Sequence, residues 1–137
     1  MRFLDTNILL YAISKDAAEQ RKTRVAIELL DAQDLGLSVQ VLQEFYVQAT
    51  RPSRAGALAH RLAAQYLDHW QALPVQDLTV ALVRAALASC QRFSISYWDA
   101  AIIEAARALG CQTVLSEDLQ HGASYGGVRV QNPFRVR

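Results

Sequence analysis

Two short apolar runs, near opposite ends of the 137-residue chain, are each followed at once by a polar segment containing an aspartate. Phe3-Leu4 precedes Asp5 and the amphipathic stretch Ile8 to Ile13, and Thr113-Val114-Leu115 precedes the turn that holds Asp118. A strand, an acid and then a helix is typical of open α/β sheets, where ligands bind outside the carboxyl ends of the strands. The two aspartates are therefore expected at one crevice, although they lie far apart in sequence.

The remaining hydrophobic pattern alternates between helix and strand periodicity. The expected strands are Arg2 to Leu4, Leu35 to Leu37, Leu73 to Val75, Gln112 to Leu115 and, at an edge of the sheet, Val128 to Val130. The expected helices are Thr6 to Ile13, Ala17 to Ala32, Val39 to Thr50 after the N-cap Ser38, Ala55 to Trp70, a helix capped by Asp77 that runs to Gln91, and Tyr97 to Leu109 between Ser96 and Gly110. This alternation predicts an α/β fold with a mainly parallel central sheet covered by helices on both faces. No repeat or Gly/Ser/Pro-rich linker interrupts it, so a single domain over residues 1–137 is expected.

The composition excludes several classes of protein. Hydrophobic residues make up 52% of the chain and charged residues 20%, as in globular domains. The formal net charge of +1 argues against binding nucleic acid by charge alone. Local basic patches remain, each of which is most simply a solvated face: Arg21-Lys22-Thr23-Arg24, Arg51 with Arg54 and Arg61, and Arg129 with Arg135 and Arg137.

The cysteines and the N-terminal residues bear on location. Cys90 and Cys111 are isolated thiols without C-x-x-C spacing, which fits a reducing compartment and disfavours a zinc site. Met1 to Tyr11 is broken by Asp5 and Asn7 and lacks the pattern of a signal peptide. No apolar run approaches the roughly 18 residues of a membrane span. A soluble, cytoplasmic protein that binds no membrane is therefore expected.

Four acids are candidates for one functional site, and each has a simpler explanation. Asp5 is placed to cap the helix that begins at Thr6, and Glu44, in the middle of a helix, fits a solvated surface position. Ser96-Tyr97-Trp98-Asp99 has the spacing of a capping box. Asp118 is placed to close a short turn.

Taken together, the four acids come from two strand ends, a helix start and a mid-helix position that border one edge of the sheet. Carboxylates gathered there would repel one another, and a divalent cation would remove that cost. Ligands that are all oxygen favour Mg²⁺ or Mn²⁺ over zinc.

The order and spacing of these motifs resemble the PIN-domain nucleases, and more closely the VapC-like toxins of type II toxin-antitoxin pairs. The resemblance extends over nearly the whole chain. It rests on five segments, namely Asp5-Thr6-Asn7, Glu44, Tyr97-Trp98-Asp99-Ala100, Leu115-Ser116-Glu117-Asp118-Leu119 and Val130-Gln131-Asn132-Pro133-Phe134.

The resemblance implies a metal-dependent ribonuclease that is usually a homodimer and is silenced by a cognate antitoxin, whose C-terminal segment occupies the active-site groove. Transferred by position, the acidic quartet of catalytic metal ligands is Asp5, Glu44, Asp99 and Asp118. Asn7 and Ser116 take supporting roles in orienting ligands or water, and Thr6 is a weaker candidate. The cofactor would be Mg²⁺ or Mn²⁺.

In one respect the chain departs from this family. Many relatives carry a further acid or asparagine shortly after the position of Asp118, whereas Leu119-Gln120-His121 follow here. Whether one or two ions bind is therefore left open.

Three other functions compete with this interpretation. A phosphoryl-accepting receiver domain needs a lysine near its last strand, yet the only lysines are Lys15 and Lys22. A haloacid-dehalogenase-like phosphatase needs a second acid two residues after the first, where Asn7 stands. The stronger rival is a catalytically silent PIN-like module that binds RNA or an antitoxin without cutting, and the sequence does not exclude it.

Overall fold

A computed structural model describes residues 1–136, and Arg137 lies outside the described residues. Within them, strands and helices alternate along the chain. The strands are β1 (Arg2–Leu4), β2 (Leu35–Ser38), β3 (Val75–Gln76), β4 (Thr113–Leu115), β5 (Ser124–Tyr125) and β6 (Val128–Gln131). The helices are α1 (Thr6–Ile13), α2 (Gln20–Leu30), α3 (Val39–Ala49), α4 (His60–Trp70), α5 (Val80–Phe93) and α6 (Tyr97–Leu109), with a short 3-10 turn at Ala17–Glu19.

The strands form one sheet in the order β3-β2-β1-β4-β6-β5. All neighbouring strands are parallel except β5 and β6, which form an antiparallel hairpin. The central strands are buried on both faces, as their unbroken apolar sequence requires. Because β1 lies between β2 and β4, the segments that follow these three strands are neighbours at one edge of the sheet, which we call the carboxyl edge. The expected α/β architecture is confirmed.

The helices cover both faces of the sheet. Helix α1 packs against α2 and α3, and α3 packs against α4, whereas α5 and α6 pack together and α6 lies across β2 and β3. An aromatic cluster fills the space between α3 and α4, where the ring centroids of Phe45 and Trp70 lie 4.5 Å apart at 90°. None of the helices in residues 1–136 combines the length and the apolar character needed to cross a membrane.

A close approach between α6 and β2 fixes the direction of α6. A Cβ atom built on Gly36 would lie 2.6 Å from Leu109 Cδ2 and 2.9 Å from Met1 Sδ, so a larger residue at this position of β2 would displace these side chains. The end of α6 therefore lies over the amino half of β2, and its start, with Asp99, lies at the carboxyl edge.

Several expected boundaries were wrong. The helix expected from Ala55 begins at His60, because residues 51–59 form turns in which Gly56 has φ +73° and the Leu58 amide donates to the Ala49 carbonyl at 2.8 Å. The expected helix Ala17–Ala32 begins with the 3-10 turn and ends at Leu30. Polar turn geometry outweighs the helix propensity of alanine at these ends.

The cap of α5 and the strands at both edges of the sheet also differ from expectation. Thr79, not Asp77, is the N-cap of α5, and its Oγ1 accepts from the Leu82 amide at 3.1 Å. The strand expected at Leu73 to Val75 is Val75–Gln76. Strand β6 is not at the edge, because β5 pairs with its outer side through the turn at Gly126-Gly127.

Candidate active site

Asp5 occupies the carboxyl end of β1 and has two roles. Its Oδ1 accepts from the Thr6 amide at 2.8 Å and so caps α1, as the simpler explanation expected. Its Oδ2 accepts from Ser116 Oγ at 2.7 Å and from Asn7 Nδ2 at 3.4 Å. The residue is only 7% exposed. Capping therefore does not account for the whole carboxylate, because the second oxygen faces the segment after β4.

Ser116 and Asn7 join that segment to the start of α1. Ser116 Oγ accepts from the amides of Asp118 and Leu119 at 3.1 and 3.3 Å, which closes the turn that Asp118 was expected to close. Asn7 Oδ1 accepts from the Glu117 amide at 3.1 Å, and Asn7 Nδ2 donates to Asp118 Oδ2 at 3.2 Å. The network brings two aspartates from distant parts of the chain to one edge of the sheet.

Glu44 reaches the same edge from α3. Its Oε2 accepts from Thr6 Oγ1 at 2.8 Å and its Oε1 accepts from Gln40 Nε2 at 2.9 Å. The side chain is partly buried and both of its oxygens accept hydrogen bonds, so the simpler explanation of a solvated surface glutamate does not account for its position. Thr6 follows Asp5 directly and thereby joins Glu44 to the aspartate network, a contact that the sequence analysis did not foresee.

Asp99 lies at the start of α6 on the same edge but does not contact the other three acids. Ser96 Oγ accepts from the Asp99 amide at 3.1 Å, which is half of the expected capping box. Among residues 1–136, no donor is bonded to the Asp99 carboxylate, so the other half is missing. The neighbouring Trp98 lines the same cleft as Glu44, which places the start of α6 beside α3.

The electrostatics of Asp5 are unusual for a carboxylate at pH 7. Its pKa is raised to about 6, chiefly by burial, and the nearby charges of Asp118 and Glu44 raise it further. Hydrogen bonds from Ser116 and Thr6 oppose this shift by stabilising the charged form. The site thus holds a buried acid whose charged form is disfavoured by its surroundings and by two acidic neighbours.

The chemistry of these groups fits a hard divalent cation. Carboxylate, hydroxyl and amide oxygens are the donors that Mg²⁺ and Mn²⁺ take in proteins, and a cation would offset the repulsion that Asp118 and Glu44 exert on Asp5. The acids are farther apart than the ligands of a metal-bound site, because no three Asp, Glu, His or Cys side chains within residues 1–136 are grouped closely enough to hold a metal ion. The Asp118 side chain is exposed, and its carboxylate accepts a hydrogen bond from Asn7 alone among residues 1–136.

Comparison with known proteins identifies the family. A family model described as the PIN domain matches residues 2–123. The chain belongs to the PIN domain family. No curated protein matches the sequence significantly.

Solved structures of other PIN proteins share the fold at low sequence identity. A toxin-antitoxin complex from Klebsiella pneumoniae superposes with a TM-score of 0.73 at 17% identity, over 99% of this chain and 100% of that chain. VapC20 from Mycobacterium tuberculosis, a sarcin-ricin loop cleaving toxin, gives 0.65 at 22% identity, over 86% and 90%. VapBC2 from Rickettsia felis, bound to a DNA fragment from its promoter, gives 0.63 at 18% identity, over 96% and 97%.

Glu117 of this PIN domain is turned toward a lysine rather than toward Asp5. Lys22 Nζ lies 2.5 Å from Glu117 Oε1 and 3.3 Å from the Tyr11 hydroxyl. Burial favours a higher pKa for Glu117, but hydrogen bonds from Lys22 and Tyr11 outweigh it, and its pKa is lowered. Of the three basic patches, the one on α2 therefore lies beside the segment after β4. Nothing in the spacing of Lys22 and Glu117 along the chain predicts this contact.

A second buried acid in the PIN domain, Glu104 of α6, belongs to a different region. Its Oε2 accepts from Ser89 Oγ at 2.7 Å, and Arg107 Nε donates to its Oε1 at 3.0 Å. Arg107 also donates to the carbonyls of Tyr125 and Gly126, each at 2.6 Å. The group joins α5, α6 and the β5-β6 hairpin, and the three-residue spacing of Glu104 and Arg107 was the only signal of it in the sequence.

Proposed function

We propose that this PIN domain is a metal-dependent endoribonuclease that hydrolyses RNA phosphodiester bonds as the toxin of a toxin-antitoxin pair. One observation carries the proposal: a buried aspartate at the carboxyl edge, Asp5, is held in place by neutral donors while two other acids disfavour its charge. Perturbed carboxylates of this kind are concentrated at functional sites. The similar VapC20, a sarcin-ricin loop cleaving toxin, supports the assignment to RNA.

The acidic quartet would hold the cation, which we propose to be Mg²⁺ or Mn²⁺. When bound, such an ion lowers the pKa of a water and offsets charge on the phosphoryl oxygens. Asp5 and Asp118 would supply ligands from the ends of neighbouring parallel strands, and Glu44 and Asp99 would supply them from α3 and α6. Ser116 and Asn7 orient the Asp5 carboxylate through their hydrogen bonds. One carboxylate of the set would accept the proton of the attacking water.

Substrate phosphates beside this site would need cations. Arg24 of α2 is exposed and makes no side-chain hydrogen bond within residues 1–136, whereas Lys22 in the same patch is paired with Glu117. We assign the flanking phosphates to this patch, whose contacts would position RNA without reading its bases.

Two protein partners are proposed, one from the similar structures and one from the exposed apolar side chains. Toxin-antitoxin complexes among the similar structures support a cognate antitoxin for this chain. A homodimer is proposed because apolar side chains are exposed on α4 and α5, among them Leu62, Val80 and Leu87. A single domain over residues 1–137 and a cytoplasmic location complete the proposal, and the free thiols of Cys90 and Cys111 agree with a reducing compartment.

A second candidate function is a silent PIN-like module that binds RNA or an antitoxin without cutting. One observation favours it, namely that no three potential ligands among residues 1–136 are close enough to hold a metal. The two functions differ in what they require of Asp99, whose carboxylate accepts no hydrogen bond from residues 1–136. A silent module has no need of it, whereas the nuclease does.

Cleavage of an RNA mixture by purified, antitoxin-free protein separates the two. We expect cleavage with Mg²⁺ or Mn²⁺, no cleavage with EDTA, and a loss of activity in Asp99→Asn without loss of folded structure. Asp77→Asn is a matched control, because Asp77 is an exposed acid outside the quartet. Folded protein that cleaves no RNA with either metal would favour the silent module.

A further inference from the structure

Beside the acidic edge lies an open cleft with an exposed tryptophan. The indole of Trp98 is 65% exposed, whereas the other tryptophan of the chain, Trp70, is 4% exposed. The cleft has a volume of about 560 Å³, within the range of small-ligand sites, about 300–1,000 Å³. Its lining residues are Gln40, Gln43, Glu44, Val47, Gln48 and Trp98. Ligand sites are concave and are lined by apolar and aromatic side chains with a few polar groups, so the exposed indole in this cleft marks it as a candidate ligand site.

The lining identifies the chemistry of that ligand. As far as residues 1–136 are concerned, it contains no lysine, arginine or histidine, and it contains the Glu44 carboxylate, so it would repel a phosphate. An uncharged planar group suits it, because the indole offers a stacking face and the glutamine amides offer both donors and acceptors. Nucleobases of single-stranded RNA are bound in this way, by aromatic stacking and by hydrogen bonds to their edges.

The cleft is also continuous with the acidic edge. Glu44 lines the cleft, and its Oε2 accepts from Thr6 Oγ1, the residue next to Asp5. Trp98 itself precedes Asp99 at the start of α6. A base in the cleft would therefore belong to a nucleotide close to the phosphate at the acids.

A second copy of the chain is a weaker occupant of this surface. Among the lining residues only Val47 and Trp98 are apolar, and the rest are amides and a carboxylate. The cores of protein interfaces are apolar and depleted in acids. Exposed apolar side chains that a second copy could cover also lie on α4 and α5, at Leu62, Val80 and Leu87.

We propose that Trp98 and the glutamines of α3 form a subsite for an unpaired RNA base adjoining the scissile phosphate. The subsite rests on the proposed function and names the part of the substrate that this site recognises. Stacking on Trp98 would hold the nucleotide, and Gln43, exposed and without a side-chain hydrogen bond in residues 1–136, would contact the edge of the base.

Binding of two fluorescent probes in EDTA tests the subsite without cleavage. One probe is a single-stranded adenylate of about 12 nucleotides, and the other has the same sugar-phosphate backbone without bases. Trp98→Ala should weaken adenylate binding about tenfold, the scale of losing one stacked base, and leave the base-free probe within about twofold. Trp98→Phe should keep most of the affinity. Leu78→Ala, at an exposed apolar residue outside the cleft and outside α4 and α5, is the control and should change neither.

Three results would overturn the subsite: equal effects of Trp98→Ala on both probes, no effect on either, or conversion of a dimer to a monomer with adenylate affinity unchanged. The last result would assign the surface to a second copy. A parallel cleavage assay with Mg²⁺ keeps the two proposals apart. If Trp98→Ala weakens binding of the adenylate alone but the protein cuts no RNA, the proposed nuclease function is refuted and the base-binding surface stands. If the protein cuts RNA but Trp98→Ala does not weaken adenylate binding selectively, the subsite is refuted and the nuclease function stands.

Discussion

Asp5 and Glu104 are both buried acids, 7% and 8% exposed, yet their surroundings are opposite. Glu104 receives hydrogen bonds from the Arg107 guanidinium and from Ser89, so its charge is paired. Within the described residues, 1–136, Asp5 receives only neutral donors, and the charged neighbours that act on it are acids that raise its pKa. Burying a charge is costly unless the charge is paired. The position of Glu104 is thus explained by stability, whereas that of Asp5 calls for a cation that the protein itself does not provide.

The largest expected effect is on catalysis at Asp5. Asp5→Asn should lower RNA cleavage by about a thousandfold or more, on the scale of losing a group that stabilises charge in the transition state. Glu104→Gln is the matched control, a buried acid changed to its amide, and should retain activity within about twofold. The measurement is the initial rate of cleavage with Mn²⁺. Equal losses in both variants would show that burial, not location at the carboxyl edge, makes Asp5 important.

Ser116 should matter through the orientation of Asp5. Its hydroxyl donates to Asp5 and accepts from the Asp118 amide, so Ser116→Ala frees two acids of the set at once. We expect cleavage to fall by about 10- to 100-fold, as when a group that orients metal ligands is removed. Ser89→Ala, which removes the matching hydroxyl from Glu104, is the control and should leave the rate unchanged. Identical rates for Ser116→Ala and wild type would refute the orienting role.

The comparison of the two buried acids also predicts that Glu104→Gln lowers the stability of the protein. Glu104→Gln removes the ion pair with Arg107, which also holds the carbonyls of the β5-β6 hairpin. Since Arg107 remains partly exposed to water, the free energy of unfolding should fall by only about 2 kcal/mol. Urea unfolding should show a lower midpoint with an unchanged slope. An unchanged midpoint would mean that the pair contributes nothing.

In contrast to Glu104→Gln, Asp5→Asn should slightly increase the stability of the metal-free protein at pH 7.5. The pKa of Asp5 is about 6 in the folded state against 3.8 ordinarily, so its contribution to stability is complete below pH 3.8 and lost as the pH rises through 6. That difference corresponds to about 3 kcal/mol at most. Because the amide keeps fewer hydrogen bonds, which costs about 2 kcal/mol, we expect a net gain of about 1 kcal/mol at pH 7.5 and a net loss of about 1 kcal/mol at pH 4.5.

Thermal unfolding of the metal-free proteins at the two pH values measures this gain. A variant that is less stable than wild type at pH 7.5 would show that the protein compensates the buried charge of Asp5. The unfolding midpoint of Asp77→Asn should be the same as that of wild type at both pH values.

Local signals predicted the parts of the fold that depend on a few adjacent residues. Helices α1, α3 and α6 begin where Asp5, Ser38 and Ser96 were expected to cap them, because an N-cap bonds to an amide within three residues of itself. The start of α4 was missed, since turns around Gly56 replace the helix that the alanines favour. Strand β5 was missed because two residues, Ser124–Tyr125, carry no periodicity.

The candidate site was only partly predictable. Convergence of Asp5 with Asp118 followed from parallel strand topology, and their link through Ser116 bears it out. The bond from Thr6 to Glu44 joins residues 38 apart, and the pair of Lys22 with Glu117 joins residues 95 apart. Contacts of this kind depend on how helices pack across the chain, and no local pattern encodes them. The ligand roles of the acidic quartet stay predictions.

Calorimetric titration of Mn²⁺ into metal-free protein at pH 7.5 tests the metal centre most directly, with wild type, Asp5→Asn and Glu104→Gln measured side by side. We predict saturable binding of one or two ions by wild type and Glu104→Gln, and binding at least about tenfold weaker in Asp5→Asn, because only that variant removes a ligand. Equal affinity in all three proteins, or no binding by wild type, would contradict a metal centre built on Asp5.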